Sequence, residues 1–307
     1  MELRHLRYFV AVAEDLHFGR AAARLHIAQP PLSRQIRDLE GELGAELFSR
    51  VKGRVALTHA GQAFLVEARR TLEQAERARA VVGRAARGEV GRLRVGFVEA
   101  ATYSGVLAEV LERFRTHAPD VGLELFELSS LQQTHALRDG RIEVGVMHSP
   151  PYDAAEWLGV ERVVHDVMIV ALPRGHRLAR RPSVPLQALA AEPFLMLRRP
   201  EGAGLHDRII AACQAVGFSP SVAQQAGQLQ TLVGLVAAGA GVALVPGALE
   251  ELRRPGVVYR PIAGLEVEMG TWAVWRLGDE SPVRARFLDA LRAVVSARPP
   301  LAHLYAG

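Results

Sequence analysis

Residues 18–43 read FGRAAARLHIAQPPLSRQIRDLEGEL, and how this stretch is parsed decides the fold of the front of the chain. Ala21, Ala22 and Ala23 open a short helix anchored by Leu25, and a tight turn runs from His26 to Gln29. Pro30-Pro31 then starts a second helix, where a missing N–H costs nothing. Two helices joined by so short a turn make a helix-turn-helix. In the second helix Leu32, Ile36, Leu39 and Leu43 recur every three or four residues, which places them on one apolar stripe. The opposite face carries Ser33, Arg34, Arg37 and Gly41. Gln29 and Ser33 lie near the helix start, where a recognition helix meets base edges. Arginine-bearing helix faces are more often simply solvated, so the pattern by itself leaves open both a DNA reader and a plain helical hairpin. Arg37 could equally pair with Asp38 or Glu40.

Outward from this pair, Leu3, Leu6, Phe9, Val10 and Ala13 predict a first helix beneath it and hence a three-helix core. On the other side, ELFSRVKGRVALT (46–58) reads as two short strands around Lys52-Gly53, with Val55 and Leu57 facing inward and Arg50, Lys52 and Arg54 at or near the tip. Such a basic wing lies along the phosphate backbone or in the minor groove. Thr58 is a good N-cap for the next helix. From His59 to Arg87 a long helix carries a seam of Phe64, Ala68, Leu72, Ala75, Ala78 and Val82. Its small alanines suit close packing against a second copy, a dimerising linker, and a helix lying on its own domain would show the same stripe.

The chain of 307 residues is long enough for two or three domains. Residues 1–92 hold 16 of the 37 Lys+Arg and 11 of the 33 Asp+Glu, a net of +5, against 21 and 22, a net of −1, for residues 93–307. The basic excess therefore sits with the helix-turn-helix, as a polyanion partner requires. Cys213 is the only cysteine, so disulfide frameworks and cysteine zinc clusters are excluded, a reducing cytoplasm is expected, and its apolar helical neighbours favour a buried thiol. MELRHLRYFV at the start is amphipathic rather than a signal peptide. The apolar run 229–249 is not read as a membrane span, because Gly234, Gly239, Gly241, Pro246 and Gly247 interrupt it. The 11 histidines are scattered without metal-ligand spacing, and Gly202-Ala203-Gly204 is too short for a dinucleotide fingerprint. No cofactor, metal or catalytic constellation is expected.

After Gly88 and Gly91 the pattern changes. Strand 92–98, a helix from about 104 to 117, strand 121–128, a helix about 131–139 and strand 143–147 alternate, which implies a parallel sheet with right-handed crossovers. A second set comes next: strands at 161–172 and 194–197, a helix at 204–215, a strand about 222–226, a helix about 229–238 and strand 241–246. Strands near 257–261 and 266–276 and a helix at 282–297 close the chain. The rear half is thus two α/β lobes with a cleft where strand ends face each other.

Taken together, LRHLRYFVAVAE (3–14), residues 18–50, LTHAGQAFL (57–65), LRVGF (93–97) and LVAAGAGVALVP (235–246) resemble a LysR-type transcriptional regulator over the whole length, closest in style to the regulators of catechol and benzoate degradation. The resemblance implies an α+β chain with three parts: a winged helix-turn-helix, a long linker helix, and a two-lobed α/β effector domain similar to periplasmic binding proteins. The expected boundaries are 1–58 for the DNA-binding domain, 59–88 for the linker, 89–162 with 269–300 for lobe I, and 163–268 for lobe II. It also implies a cytoplasmic homotetramer, a dimer of dimers on double-stranded promoter DNA, that answers to a small-molecule effector. RNA polymerase is a further candidate partner, and no membrane is involved. Gln29, Pro30, Pro31, Ser33, Arg34 and Arg37 would face the major groove, with Arg50, Lys52 and Arg54 in the wing.

By the same resemblance the effector lies between the turn after the first sheet strand (Ala100, Ala101, Thr102), the helix start at Ser129 and Ser130, His148, a second helix start at Gly204 and Leu205, and Gln228. Helix N-termini can hold a carboxylate, although Ser129 and Ser130 as plain N-caps explain the same residues. Two positions depart from the muconate-sensing members: Glu99-Ala100-Ala101 stands where serines would help bind an anion, and His148 where an arginine is expected. Both count against a dicarboxylate and favour a small aromatic or monocarboxylate ligand, with His148 a candidate pH-sensitive contact. The alternative from another class is a cytosolic small-molecule binding protein or enzyme whose front helices only dimerise.

Overall fold

The computed structural model describes residues 1–51, 54–148, 150–151, 153–263 and 268–298. The chain falls into two compact units, Met1–Arg84 and Ala85–Gly307. In the first, α1 (Leu3–Asp15), α2 (Phe18–Arg24) and α3 (Gln29–Leu43) precede an antiparallel hairpin of β1 (Phe48–Val51) and β2 (Arg54–Leu57), and α4 (His59–Ala86) comes after it. His17 caps α2 by accepting the Arg20 N–H, and α3 opens with its prolines in the first turn, as proline's fixed φ allows. Leu6, Phe9, Val12, Leu32, Ile36 and Leu39 close the three-helix core. The Phe9 ring lies 5.3 Å from Phe48 and 4.9 Å from Phe64, so the hairpin and α4 share that core. The apolar stripe of α3 ends one turn earlier than its spacing suggests. Leu43 is 39% exposed, because Gly44 stops the helix there in a left-handed conformation and the chain turns off.

The hairpin is held at its root by side chains that reach across elements. One oxygen of Glu40 on α3 accepts the backbone N–H groups of Leu47 (2.8 Å) and Phe48 (3.1 Å). Thr58 donates from its N–H to the Leu47 carbonyl and from its hydroxyl to the Glu46 carbonyl, and the same hydroxyl caps α4 by accepting the Gly61 N–H. Gly61 packs so closely that a Cβ there would lie 2.1 Å from the Leu47 carbonyl oxygen. Along α4, Phe64, Ala68 and Leu72 pack on this core, whereas Ala78 and Val82 are exposed. The seam thus serves its own domain at one end only.

The second unit begins with β3 (Val90–Phe97), a 3-10 turn at Glu99–Thr102, α5 (Val106–His117), β4 (Asp120–Glu127), α6 (Ser130–Arg138) and β5 (Val144–Met147). Strand β3 pairs in parallel with both β4 and β5, the crossover geometry that the alternating pattern implies. Next come α7 (Ala154–Trp157), β6 (Leu158–Pro173), β7 (Val184–Pro185), β8 (Pro193–Leu197), α8 (Arg199–Ala215), β9 (Ser221–Ala226) and α9 (Leu229–Ala237). The chain closes with β10 (Ala243–Pro246), β11 (Val257–Ala263), β12 (Glu268–Arg276) and α10 (Pro282–Ala297).

Strand β6 joins the lobes. Its residues up to Val167 pair with β12, and from Met168 onward it pairs with β10 and β11. The change of partners falls beyond the boundary expected after residue 162, because a strand can carry one ladder into the next without a loop. Each lobe has its own core. Lobe I packs Leu93, Val95, Phe114, Leu137, Phe287 and Leu291, and lobe II packs Ile169, Phe194, Ile209, Cys213, Val236 and Leu244. Ala100 and Tyr103, from the turn after β3, belong to the second of these cores.

Helix α8 corrects the sequence reading. It starts at Arg199, five residues before Gly204, because Pro200 initiates it and the glycines at 202 and 204 continue it.

Gly61→Ala is expected to destabilise the first unit by about 1–3 kcal/mol, the usual cost of forcing an atom into occupied space. Urea unfolding of the full chain, followed through the first transition, measures it.

Candidate functional site

Two surfaces carry the residues singled out in the sequence. On the first unit, Gln29, Pro30, Pro31, Arg34 and Arg37 are exposed on α3 and Ser33 is half-buried beside them. The Gln29 amide oxygen lies 3.5 Å from where a Gly19 Cβ would stand, so the side chain rests against the start of α2. Arg37 Nε donates to the Ser33 carbonyl at 3.3 Å and, among the described residues, forms no ion pair with Asp38 or Glu40. Glu40 is engaged with the hairpin root instead. Among the described residues Arg34 has no carboxylate partner. Arg54 is exposed on β2, the backbone of Arg50 lies on β1, and Lys52 is outside the described residues. Helix and hairpin therefore present guanidinium groups and polar backbone to solvent with little internal use for them.

On the second unit a cleft of about 800 Å³ lies between the lobes. It brings together Ala100, Ser129, Ser130, His148, Gly204, Leu205 and Gln228. Ala101 and Thr102 do not line it: Ala101 is buried in lobe I, and the Thr102 hydroxyl turns back to the Glu99 carbonyl at 2.7 Å. Gly204 and Leu205 enter from a side of α8 rather than from its N-terminus. The cleft walls also include Glu99, Glu127, Arg208 and Trp272.

Two helices point their N-termini at the cleft, and they are in different states. Ser129 caps α6 with a full capping box: its hydroxyl accepts the Gln132 N–H at 3.3 Å, and Gln132 Oε1 accepts the Ser129 N–H at 2.9 Å. That leaves the N–H groups of Ser130 and Leu131 to the cleft. At α9, by contrast, the Leu229 N–H donates to Glu99 Oε2 at 3.1 Å. The other Glu99 oxygen accepts the Tyr103 hydroxyl, whose pKa is pushed far up by burial and by this carboxylate. Lobe I thus caps a lobe II helix with its own anion.

His148 is half-buried, with Nδ1 3.0 Å from the Gly270 carbonyl. A carbonyl only accepts, so Nδ1 carries the hydrogen and Nε2 of the neutral ring is an acceptor. Burial holds the imidazole below its ordinary 6.5, and the Arg208 charge lowers it further. At the lobe junction Asp166 is buried, and its carboxylate accepts the Ala248 N–H at 3.1 Å and the Val167 N–H at 2.8 Å. Burial raises its pKa and these hydrogen bonds oppose the rise. Cys213 is fully buried, and burial pushes its thiol up to about 11, so it is a core residue.

Sequence reasoning missed Glu99 as a cap, Glu127, Arg208 and Trp272 as walls, and Asp166 at the junction. Asp166 alone left a signal: an acid inside the apolar run VVHDVMIVAL (163–172) must find donors or disrupt the strand.

Comparison with known proteins gives the family. Residues 3–62 match the bacterial regulatory helix-turn-helix protein, lysR family, and residues 86–296 match the LysR substrate binding domain. YnfL of Escherichia coli K12, an uncharacterised helix-turn-helix transcriptional regulator, is 39% identical over 95% of this chain and 99% of its own length. HcaR of the same organism, the hca operon transcriptional activator, is 37% identical over 94% and 96%. The crystal structure of full-length CbnR complexed with its target DNA superposes with a TM-score of 0.81 at 31% identity, covering 96% of this chain and all of that one. The chain belongs to the LysR family of transcriptional regulators. No described helix is long and apolar enough to cross a membrane.

Stability is expected to fall as the pH drops through about 6.5, in part because the unfolded chain protonates His148 more readily than the folded one does. The sign is that of a depressed base: full stability above the unfolded value, loss below it. Melting temperatures between about pH 8 and 5 should slope less in His148→Leu than in the unaltered chain.

Proposed function

We propose that this regulator binds promoter DNA sequence-specifically as a homo-oligomer and that a small molecule in the inter-lobe cleft adjusts that binding. In this reading α3 enters the major groove, with Arg34 and Ser33 closest to base edges and Gln29, Pro30, Pro31 and Arg37 around them. Arg50, Lys52 and Arg54 grip the backbone from the wing. The observation that carries it is the exposed face of α3, where Arg34 is left without a carboxylate among the described residues. A guanidinium with no internal role is available to a guanine edge or a phosphate. The CbnR complex with its target DNA, similar over nearly the whole chain, supports the same reading.

The far half of α4 supports the oligomer, for Val81 and Val82 are 54% and 69% exposed on a helix whose near half packs one face on its own domain. A second copy packed along that face would remove them from water and set two recognition helices at a fixed spacing. Effector binding would close the lobes and shift the angle between dimers, hence the bend of the DNA and the access of RNA polymerase. A DNA-binding regulator of this kind works in the bacterial cytoplasm.

The test is selection of genomic fragments at low ionic strength, followed by titration of the tightest. Arg34→Ala should weaken it by about 1–3 kcal/mol and relax the preference at one base position. Arg54→Ala should weaken all sequences alike and lower the salt slope by about one. Retention of no fragment at any salt concentration overturns the reading.

A further inference from the structure

The cleft is not symmetrical in what it offers a ligand. At the α6 end it presents donors, the Ser130 and Leu131 N–H groups. Around the turn after β3 it presents acceptors. Glu99 spends one lone pair on the Leu229 N–H and another on the Tyr103 hydroxyl, and a carboxylate has about four. The Glu127 charge also acts on the Tyr103 hydroxyl, so two carboxylates serve the same corner. His148, with Nδ1 committed to the Gly270 carbonyl, adds Nε2 as a further acceptor.

We propose that Glu99 sets the ligand class of the cleft: by filling the N-terminal seat of α9 with an internal carboxylate, it leaves one anion seat, at α6. The ligand must then bring an O–H or N–H donor to the acceptors of Glu99 and His148. The class is a small monocarboxylate that carries a hydroxyl or amino group, and dicarboxylates are excluded. This rests on the inter-lobe cleft being the effector site. The physical reason is the cost of mismatch. A second carboxylate at this corner meets two like charges in a partly dry site, and a plain acid leaves acceptors without a donor. The Glu99 contacts also join lobe I to the head of a lobe II helix, so a donor that binds Glu99 engages the residue linking the two lobes.

Calorimetric titration of the full-length protein with two matched sets tests this. One set is benzoate, meta-hydroxybenzoate, meta-aminobenzoate and isophthalate, and the other is butanoate, its terminal hydroxy and amino derivatives, and succinate. In at least one set the hydroxy or amino acid should bind about tenfold or more tighter than the plain acid and the diacid, and which of the two wins identifies the donor. Glu99→Gln, nearly isosteric, should bring the diacid within about threefold of the best ligand. His148→Leu should reduce the donor preference, and it serves alone if the Glu99 variant melts early. A plain acid or diacid that binds the unaltered protein as tightly as the donor-bearing acid overturns the proposal while leaving the cleft as the effector site. So does an unchanged preference in the folded variants. Binding by no member of either set overturns both.

Discussion

Strand β6 has to satisfy its backbone in two lobes at once, and the architecture of the effector unit stems from that requirement. A strand of 16 residues carries hydrogen-bonding groups on both edges along its whole length, and none of the buried ones can be left unpaired. Strand β12 accepts one stretch of it and β10 and β11 the other, so both lobes grow from a single ladder. The exchange of partners at Val167 and Met168 adjoins Asp166, whose buried carboxylate ties β6 to the backbone after β10. The ladder changes partners within one strand, and the cores on either side remain separate bodies. The cleft is the space left between them, and the Glu99 link from the 3-10 turn to α9 spans it.

The first unit is built on a different principle. Its first three helices are short, the hairpin is two-stranded, and neither would be stable alone in water. Cohesion comes from a shared aromatic cluster and from three residues that close one joint: Glu40 on the backbone of Leu47 and Phe48, Thr58 on that of Glu46 and Leu47, and Gly61 by its lack of a side chain. Glu40 matters here in a second way. With Glu40 on the hairpin root and Arg37 on the Ser33 carbonyl, the two form no ion pair among the described residues, and the outer face of α3 keeps its positive charge. Stability and charge presentation thus meet at the same carboxylate.

Much of this is legible in the sequence because it rests on periodicity. The stripe Leu32, Ile36, Leu39, the strands around Lys52-Gly53, the alternation after Gly88 and the N-cap at Ser129 all obey local rules. The features that escape are set by contacts distant in sequence. Glu99 lies 130 residues from the N–H it caps, and nothing near it in the chain signals that partner. The start of α8 is misplaced when its glycines are read as a loop, because Pro200 outweighs them. Leu43 fits the stripe by spacing yet lies past the point where the core ends.

The packing of α4 on the core that carries the hairpin has a practical corollary for anyone wishing to study the front of the chain by itself. A fragment cut after residue 58 would contain every element of the winged helix-turn-helix and would lose Phe64, Ala68 and Leu72, which cover one side of its core. Autonomy in this unit is defined by coverage of Phe9 rather than by the motif. The shortest self-sufficient piece therefore extends several helical turns beyond the last strand, into a segment that the motif alone would count as linker.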